Sequence, residues 1–427
     1  MSPFLTDLDS RAEVRGSVDP LGAMSIWTRM GRRVVGNLTT VSSSVRDFKT
    51  LVLGFSLIDS VHRRNGPEVD TDELATFLRW EQLAAYTRGY VNNDFEFRGT
   101  RRVKRTLSDS TTVPISAQSD CQILGNQKTY GLWGLFTVPA RASQLLDKEK
   151  NVLTVEAEEF VSRTWRKELG PAWPGLVDLV RRDTRRFSLE RPSVDLQRLR
   201  TVWRKMLPGE PDFWNAHIVD GGPRDETAGR QAALARVLKR FGPASSDLTL
   251  SPSVVKSLSA KAARENPLLG EYLLDIAACE SVLAPATALY AYLQSCDGRP
   301  MSAVLEGLRK AWPSRMKGVE LERFLTLVPE LAKANESPAV ASHWGSVAEE
   351  LARGSYDSAL PRLIEINALV MRGRKGAPWV LDENGTVRVK YRDGAADLPQ
   401  RDELEELWRF PYFLPSLHRV VRELEAA

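Results

Sequence analysis

Apolar residues recur at three-to-four spacing along most of this chain, the period of an amphipathic helix. A polar stretch, 1–20, holds Pro3, Gly16 and Pro20 and reads as an N-terminal arm. Leu21, Met24, Ile26 and Trp27 then start the helical pattern. Val41, Val45, Phe48, Leu51, Val52, Phe55, Ile58 and Val61 predict a helix from about Thr40 to Arg63, closed by Asn65-Gly66-Pro67. Thr71-Asp72-Glu73 is an acidic first turn for a third helix, which would bury Leu74, Phe77, Leu78, Leu83 and Tyr86. Residues 98–118, rich in Ser, Thr and Arg, lose the period and read as an exposed loop. Beyond Gly170-Pro171 the pattern predicts helices at about 174–187, 193–206, 226–241, 251–265, 267–295, 301–312, 317–334, 338–353 and 356–372.

The period changes from Ala377 on. Trp379-Val380-Leu381 and Thr386-Val387-Arg388-Val389-Lys390-Tyr391 flank Asp382-Glu383-Asn384-Gly385. Asn-Gly between alternating runs predicts a β-hairpin. A last helical segment, about Asp402 to Glu425, is interrupted at Pro411 and Pro415. The expected fold is mainly α and multi-helical, with a small C-terminal hairpin. The expected division is an arm at 1–20, helical domains at 21–170 and 171–376, and a C-terminal part at 377–427.

One segment departs from plain helical patterning. After Tyr130 come Ala142-Ser143-Gln144-Leu145-Leu146, the polar turn Asp147-Lys148-Glu149-Lys150-Asn151, and Val152-Leu153-Thr154. Thr154 suits the N-cap of a helix holding Phe160, Val161 and Trp165. This order resembles the second half of a winged-helix domain, where a short recognition helix precedes a two-strand wing. The resemblance implies a module at about 125–168, with Arg141 facing a groove and Lys148 and Lys150 at the wing tip. Such modules dock proteins as well as nucleic acid.

Charge sharpens this picture. The whole chain carries only +4. Residues 162–206 alone hold twelve Lys/Arg against five acids, so the remainder is net negative. Arg181-Arg182 and Arg185-Arg186 lie four apart and are expected to share a helix face. Residues 98–105 add Arg98, Arg101, Arg102, Lys104 and Arg105 with no acid. Both clusters flank the winged-helix-like segment, and phosphate neutralisation is the main sequence-independent source of nucleic-acid affinity. The candidate binding residues are therefore Arg98, Arg101, Arg102, Arg141, Lys148, Lys150, Arg181, Arg182, Arg185 and Arg186.

Catalytic chemistry finds no pattern. There is no GxxxxGK[ST] loop and no GxGxxG turn. His62, His217, His343 and His418 show no HxH or HExxH spacing, and His62 and His418 read as surface helix positions. Gly54-Phe55-Ser56-Leu57-Ile58 lacks the second Gly of a nucleophile elbow and sits in a helical pattern. The hairpin offers Asp382 and Lys390, but Arg388 stands where a metal-binding nuclease needs an acid. No cofactor or metal is expected, nor an enzyme. Cys121, Cys279 and Cys296 form no disulfide framework, and no signal peptide or membrane span is expected, which points to the cytoplasm.

Two further stretches carry a family likeness. They are Val18-Asp19-Pro20-Leu21-Gly22 with Ile26-Trp27, Arg32-Arg33 and Gly36-Asn37-Leu38-Thr39-Thr40, and Ala377-Pro378-Trp379 with Trp408, Tyr412-Phe413 and Leu417. They resemble bacterial proteins encoded in antiphage defence loci, beside helicases and phospholipase-D-type nucleases. The resemblance implies a subunit role and supplies no catalytic residue. The expected function is a nucleic-acid-binding accessory or recognition subunit, with DNA or RNA and a helicase or nuclease as partners. The alternative is a non-catalytic scaffold that docks the helicase or nuclease.

Overall fold

The computed structural model of the chain describes residues 19–66, 72–241, 247–312, 314, 316, 318–334 and 337–426. Nearly all of the expected arm lies outside these residues. The helices are α1 (Ala23–Arg32), α2 (Val45–Asn65), α3 (Glu73–Asn92), α4 (Thr100–Asp109), α5 (Gln127–Tyr130), α6 (Leu132–Ala142), α7 (Val155–Val161), α8 (Lys167–Leu169), α9 (Ala172–Arg181) and α10 (Leu196–Arg204). They continue with α11 (Glu210–Trp214), α12 (Arg230–Lys239), α13 (Pro252–Glu265), α14 (Pro267–Ser295), α15 (Met301–Ala311), α16 (Leu321–Ala334), α17 (Pro338–Arg353), α18 (Tyr356–Gly373) and α19 (Leu414–Glu425). Strands β1 (Thr112–Ile115) and β2 (Thr184–Ser188) form one antiparallel pair, and β3 (Val380–Glu383) and β4 (Thr386–Val389) another. The chain is thus mainly α-helical with the small C-terminal hairpin expected, and it carries a second two-stranded sheet, β1–β2.

Two expectations for the basic segments are corrected. Residues 98–118 are not simply a loop: α4 covers about half of the stretch and β1 follows it. Val103 is the one residue α4 buries, so the hydrophobic period was too sparse to betray a helix. The expected helix at 174–187 stops at Arg181, where Arg182 turns extended (φ −134°, ψ 155°). Buried Arg79 of α3 ends it by donating to the carbonyls of Val180 (2.6 Å) and Arg181 (3.3 Å). Val113 and Phe187, both buried, then pair across β1–β2. Arg181-Arg182 and Arg185-Arg186 therefore lie on a helix end and a strand, not on one helix face.

The chain forms two compact units. One joins the residues up to Val34 to Leu248–Tyr412. Its centre is α14, whose most apolar window is 83% buried, as expected of a core helix, although its length and composition alone would let it cross a membrane. Buried Glu280 on α14 accepts from the backbone N–H groups of Arg409 and Phe410 and from the Tyr412 hydroxyl (2.7 Å). The β3–β4 turn has Asn384 and Gly385 at φ +54° and +78°, as an Asn-Gly hairpin turn requires.

The other unit joins Val35–Asp247 to Phe413–Ala427. Its core is the pair α2 and α3. Gly54 lets them meet: a Cβ there would lie 2.6 Å from the Phe77 ring and 2.7 Å from that of Trp80. Trp80 stacks on Trp203 of α10 at 5.9 Å and donates to the Thr50 carbonyl. Phe160 of α7 stacks on Phe213 of α11 at 4.0 Å, and each helix runs on into a π-helical turn, Ser162–Arg166 and Asn215–Val219. The second of them and α11 left no apolar period in the sequence. His217 in that turn is buried and bonds the Ser143 carbonyl (2.9 Å), fixing the end of α6. His418 on α19, expected at the surface, is buried; burial and the neighbouring Arg422 hold its imidazole below its usual pKa.

Candidate nucleic-acid interface

In this second unit α4 begins at Gly99, whose φ of +86° brings its backbone against Ile123. With Val103 turned inward, Arg101, Lys104 and Arg105 fall on the exposed face at helical spacing. The Lys104 ammonium lies over the Phe95 ring, 4.8 Å from its centre. Among the described residues, Arg101 and Arg105 make no ion pair and no side-chain hydrogen bond.

The chain runs from α4 through Ser110-Thr111 into β1, and β1 pairs with β2. Leu189 N–H closes the ribbon on the Thr111 carbonyl at 2.9 Å. The loop after β1 adds a direct tie. The Asp120 backbone carbonyl accepts from the Arg102 guanidinium, and its carboxylate pairs with Arg185 at 3.2 Å. Arg185 also donates to the Gln118 side chain. The arginine hydrogen bond holds the Asp120 carboxyl below the usual carboxylate range. Arg186 is exposed and makes no such contact among the described residues. Two basic clusters about 80 residues apart in sequence thus share one surface.

Arg181 and Gln118 border an open concavity of about 450 Å³. Arg181 reaches Asp178 (3.8 Å), and Arg182 is exposed without a side-chain partner among the described residues. The first turn of α3 forms another part of this rim, at Asp72 and Thr76.

Segment 125–168 holds α5, α6, a turn and α7. A single antiparallel bridge, Leu146 with Leu153, stands where two wing strands were expected. Asp147 N–H bonds the Val152 carbonyl (2.9 Å), and the Asp147 carboxylate accepts from the N–H groups of Lys150 and Glu149. Those backbone donors hold its carboxyl low. Arg141 braces the turn by donating to the Asp147 carbonyl (3.2 Å) and the Asn151 side chain (2.7 Å). It is a strut of the turn. The exposed line along α6 is Gly134, Val138 and Ala142, with Val138 63% exposed. Lys148 and Lys150 are exposed at the tip. Asn151 reaches Glu73 (3.1 Å), which puts this turn beside the α3 end of the concavity.

Arg98 stands apart from the ribbon. It donates to the Tyr130 carbonyl (2.8 Å) and lines a separate cavity. The structure therefore groups Arg101, Arg102, Arg105, Arg185 and Arg186, sets Arg181 and Arg182 nearby, and keeps Lys148 and Lys150 on another element. Asp120 and Gln118, which tie the clusters together, carried no signal in the sequence. Among the described residues no group of three or more His, Cys, Asp or Glu side chains is placed to hold a metal ion. Comparison with known proteins found no matching family model, no matching curated protein and no matching solved structure.

Proposed function

We propose that this chain is a non-catalytic, nucleic-acid-binding accessory subunit of a bacterial antiphage defence assembly, acting in the cytoplasm. The observation that carries the binding part is the convergence of α4 and β2 through Asp120. It leaves Arg101, Arg105 and Arg186 exposed with no ion-pair partner among the described residues. Such cations lower their free energy by replacing condensed counterions on a phosphate backbone. The defence context rests on the terminal resemblances alone. The triple variant Arg101→Glu, Arg105→Glu, Arg186→Glu tests the binding part in a fluorescence-anisotropy salt series. Loss of about three phosphate contacts flattens the slope of log K against log salt by about 2 to 3. An unchanged slope and affinity removes the reading.

A second reading, a scaffold that docks a helicase or nuclease, is favoured by one observation. Val138, Val152 and Val155 in the winged-helix-like segment are 63%, 44% and 78% exposed. Apolar exposure of this kind fits protein contact better than phosphate. Under this reading, Val138→Asp with Val155→Asp abolishes co-purification with a helicase or nuclease partner, and assembly is insensitive to salt.

A further inference from the structure

A cavity of about 1040 Å³ in the second unit is walled by the start of α2, the α3–α4 connection, the end of α10 and α19. Its acids are already engaged. Asp47 and Asp94 pair with Arg88, each at 2.9 Å, and Glu96 pairs with Arg46 at 2.6 Å. Asp247 holds Arg419 through two 3.0 Å bonds. Glu423 accepts from the N–H groups of Val45 (2.8 Å) and Arg46 (3.1 Å), so the α2 N-terminus is already capped and offers nothing to a ligand.

Three further cations line the cavity without an ion pair among the described residues. Arg98 donates to the Tyr130 carbonyl, and Glu81 acts on it only as a more distant charge. Arg204 and Lys205, at the end of α10, are exposed and make no ion pair or side-chain hydrogen bond among the described residues. Three cations that make no ion pair among the described residues, around a hollow of ligand size, match a small, doubly charged anion. Position narrows the source. Arg98 precedes the first residue of α4 by two positions, and α4 carries Arg101 and Arg105 on its exposed face.

We infer that this cavity receives the terminal phosphomonoester of a nucleic-acid strand whose backbone follows α4. The inference rests on the proposed nucleic-acid role and adds recognition of strand ends. A monoester carries close to two negative charges at neutral pH and an internal diester one, so the three cations favour an end over the middle of a strand.

The test uses the full chain and DNA hairpins of one sequence, with the free end phosphorylated (5′ or 3′) or hydroxyl, and a closed dumbbell that has no end. A mononucleotide monophosphate is titrated separately. The phosphorylated hairpin is expected to bind about tenfold more tightly than the hydroxyl one. In Arg204→Glu, Lys205→Glu that preference disappears. Both positions are exposed, and an unchanged melting temperature confirms that the variant folds. Equal affinity of wild type for phosphorylated and hydroxyl ends overturns the end-binding inference, and if the dumbbell also binds, the surface reading survives. Binding of none of the DNA forms overturns both. Tight mononucleotide binding without an end preference on DNA also overturns it, and assigns the cavity to a free nucleotide.

Discussion

Glu81 and Glu280 are buried carboxyls in different units, and each holds backbone N–H groups in place. Burial pushes both up to about 7, against the pull of the donors they accept. The folded state therefore keeps a proton that the unfolded chain releases near pH 4.5. The stability this gives is full below about pH 4.5 and is lost as pH rises to about 7. Glu81→Gln and Glu280→Gln remove the titration. The melting temperature of wild type minus that of either variant is expected to fall between pH 5 and pH 8 in thermal melts. A difference independent of pH removes the assignment. Asp120 belongs to the same scale. It is the acid at the junction of the two basic clusters, so Asp120→Asn is expected to raise affinity for duplex DNA severalfold at low salt and steepen the salt slope by about one contact. Nothing in the local sequence marks Asp120. Its role comes from a strand pairing between residues about 70 apart, which residue spacing does not encode.

At the scale of elements, most helices were legible because their apolar residues keep the helical period; α14, α17 and α18 fall where the pattern predicts, to within a residue. The failures share a cause. α4 buries one residue and so shows no period, and β2 exists because β1 is there to pair with it. The ends of α9 and the start of β2 are decided by Arg79 from another helix. The basic residues of the candidate interface were legible as types and as clusters. Their secondary structure, and the brace made by Arg141, were not. The α2–α3 contact yields a sharp element-scale test. Gly54→Ala forces a methyl to within 3 Å of two buried rings, and a loss of about 1–3 kcal/mol in urea denaturation is expected. Neutral behaviour would mean the helices separate freely.

At the scale of the whole molecule, sequence punctuation misled. Gly170-Pro171 looks like a domain boundary, yet Gly170, at φ +44°, is the corner between α8 and α9 inside one unit. Gly and Pro report local chain reversal, while unit membership depends on distant packing. The +4 net charge also averages over local concentrations of cations, as on α4, β2 and the end of α10. The contribution of the last helix to the second unit is open to test. Deleting residues 413–427 removes α19 and the Glu423 cap. It is expected to expose α2 and lower that unit's melting temperature, seen as faster proteolysis within 35–247.

That same discontinuity has a consequence for synthesis. The second unit is written in two pieces, with residues 248–412 between them. At about 5–20 residues per second, those intervening 165 residues take roughly 8 to 30 seconds to translate. For that interval the nascent chain carries α2 without the Glu423 contacts to its first turn, and the surface that α19 will cover stays open. Until α19 arrives, that apolar surface is open to aggregation, a hazard the finished unit buries.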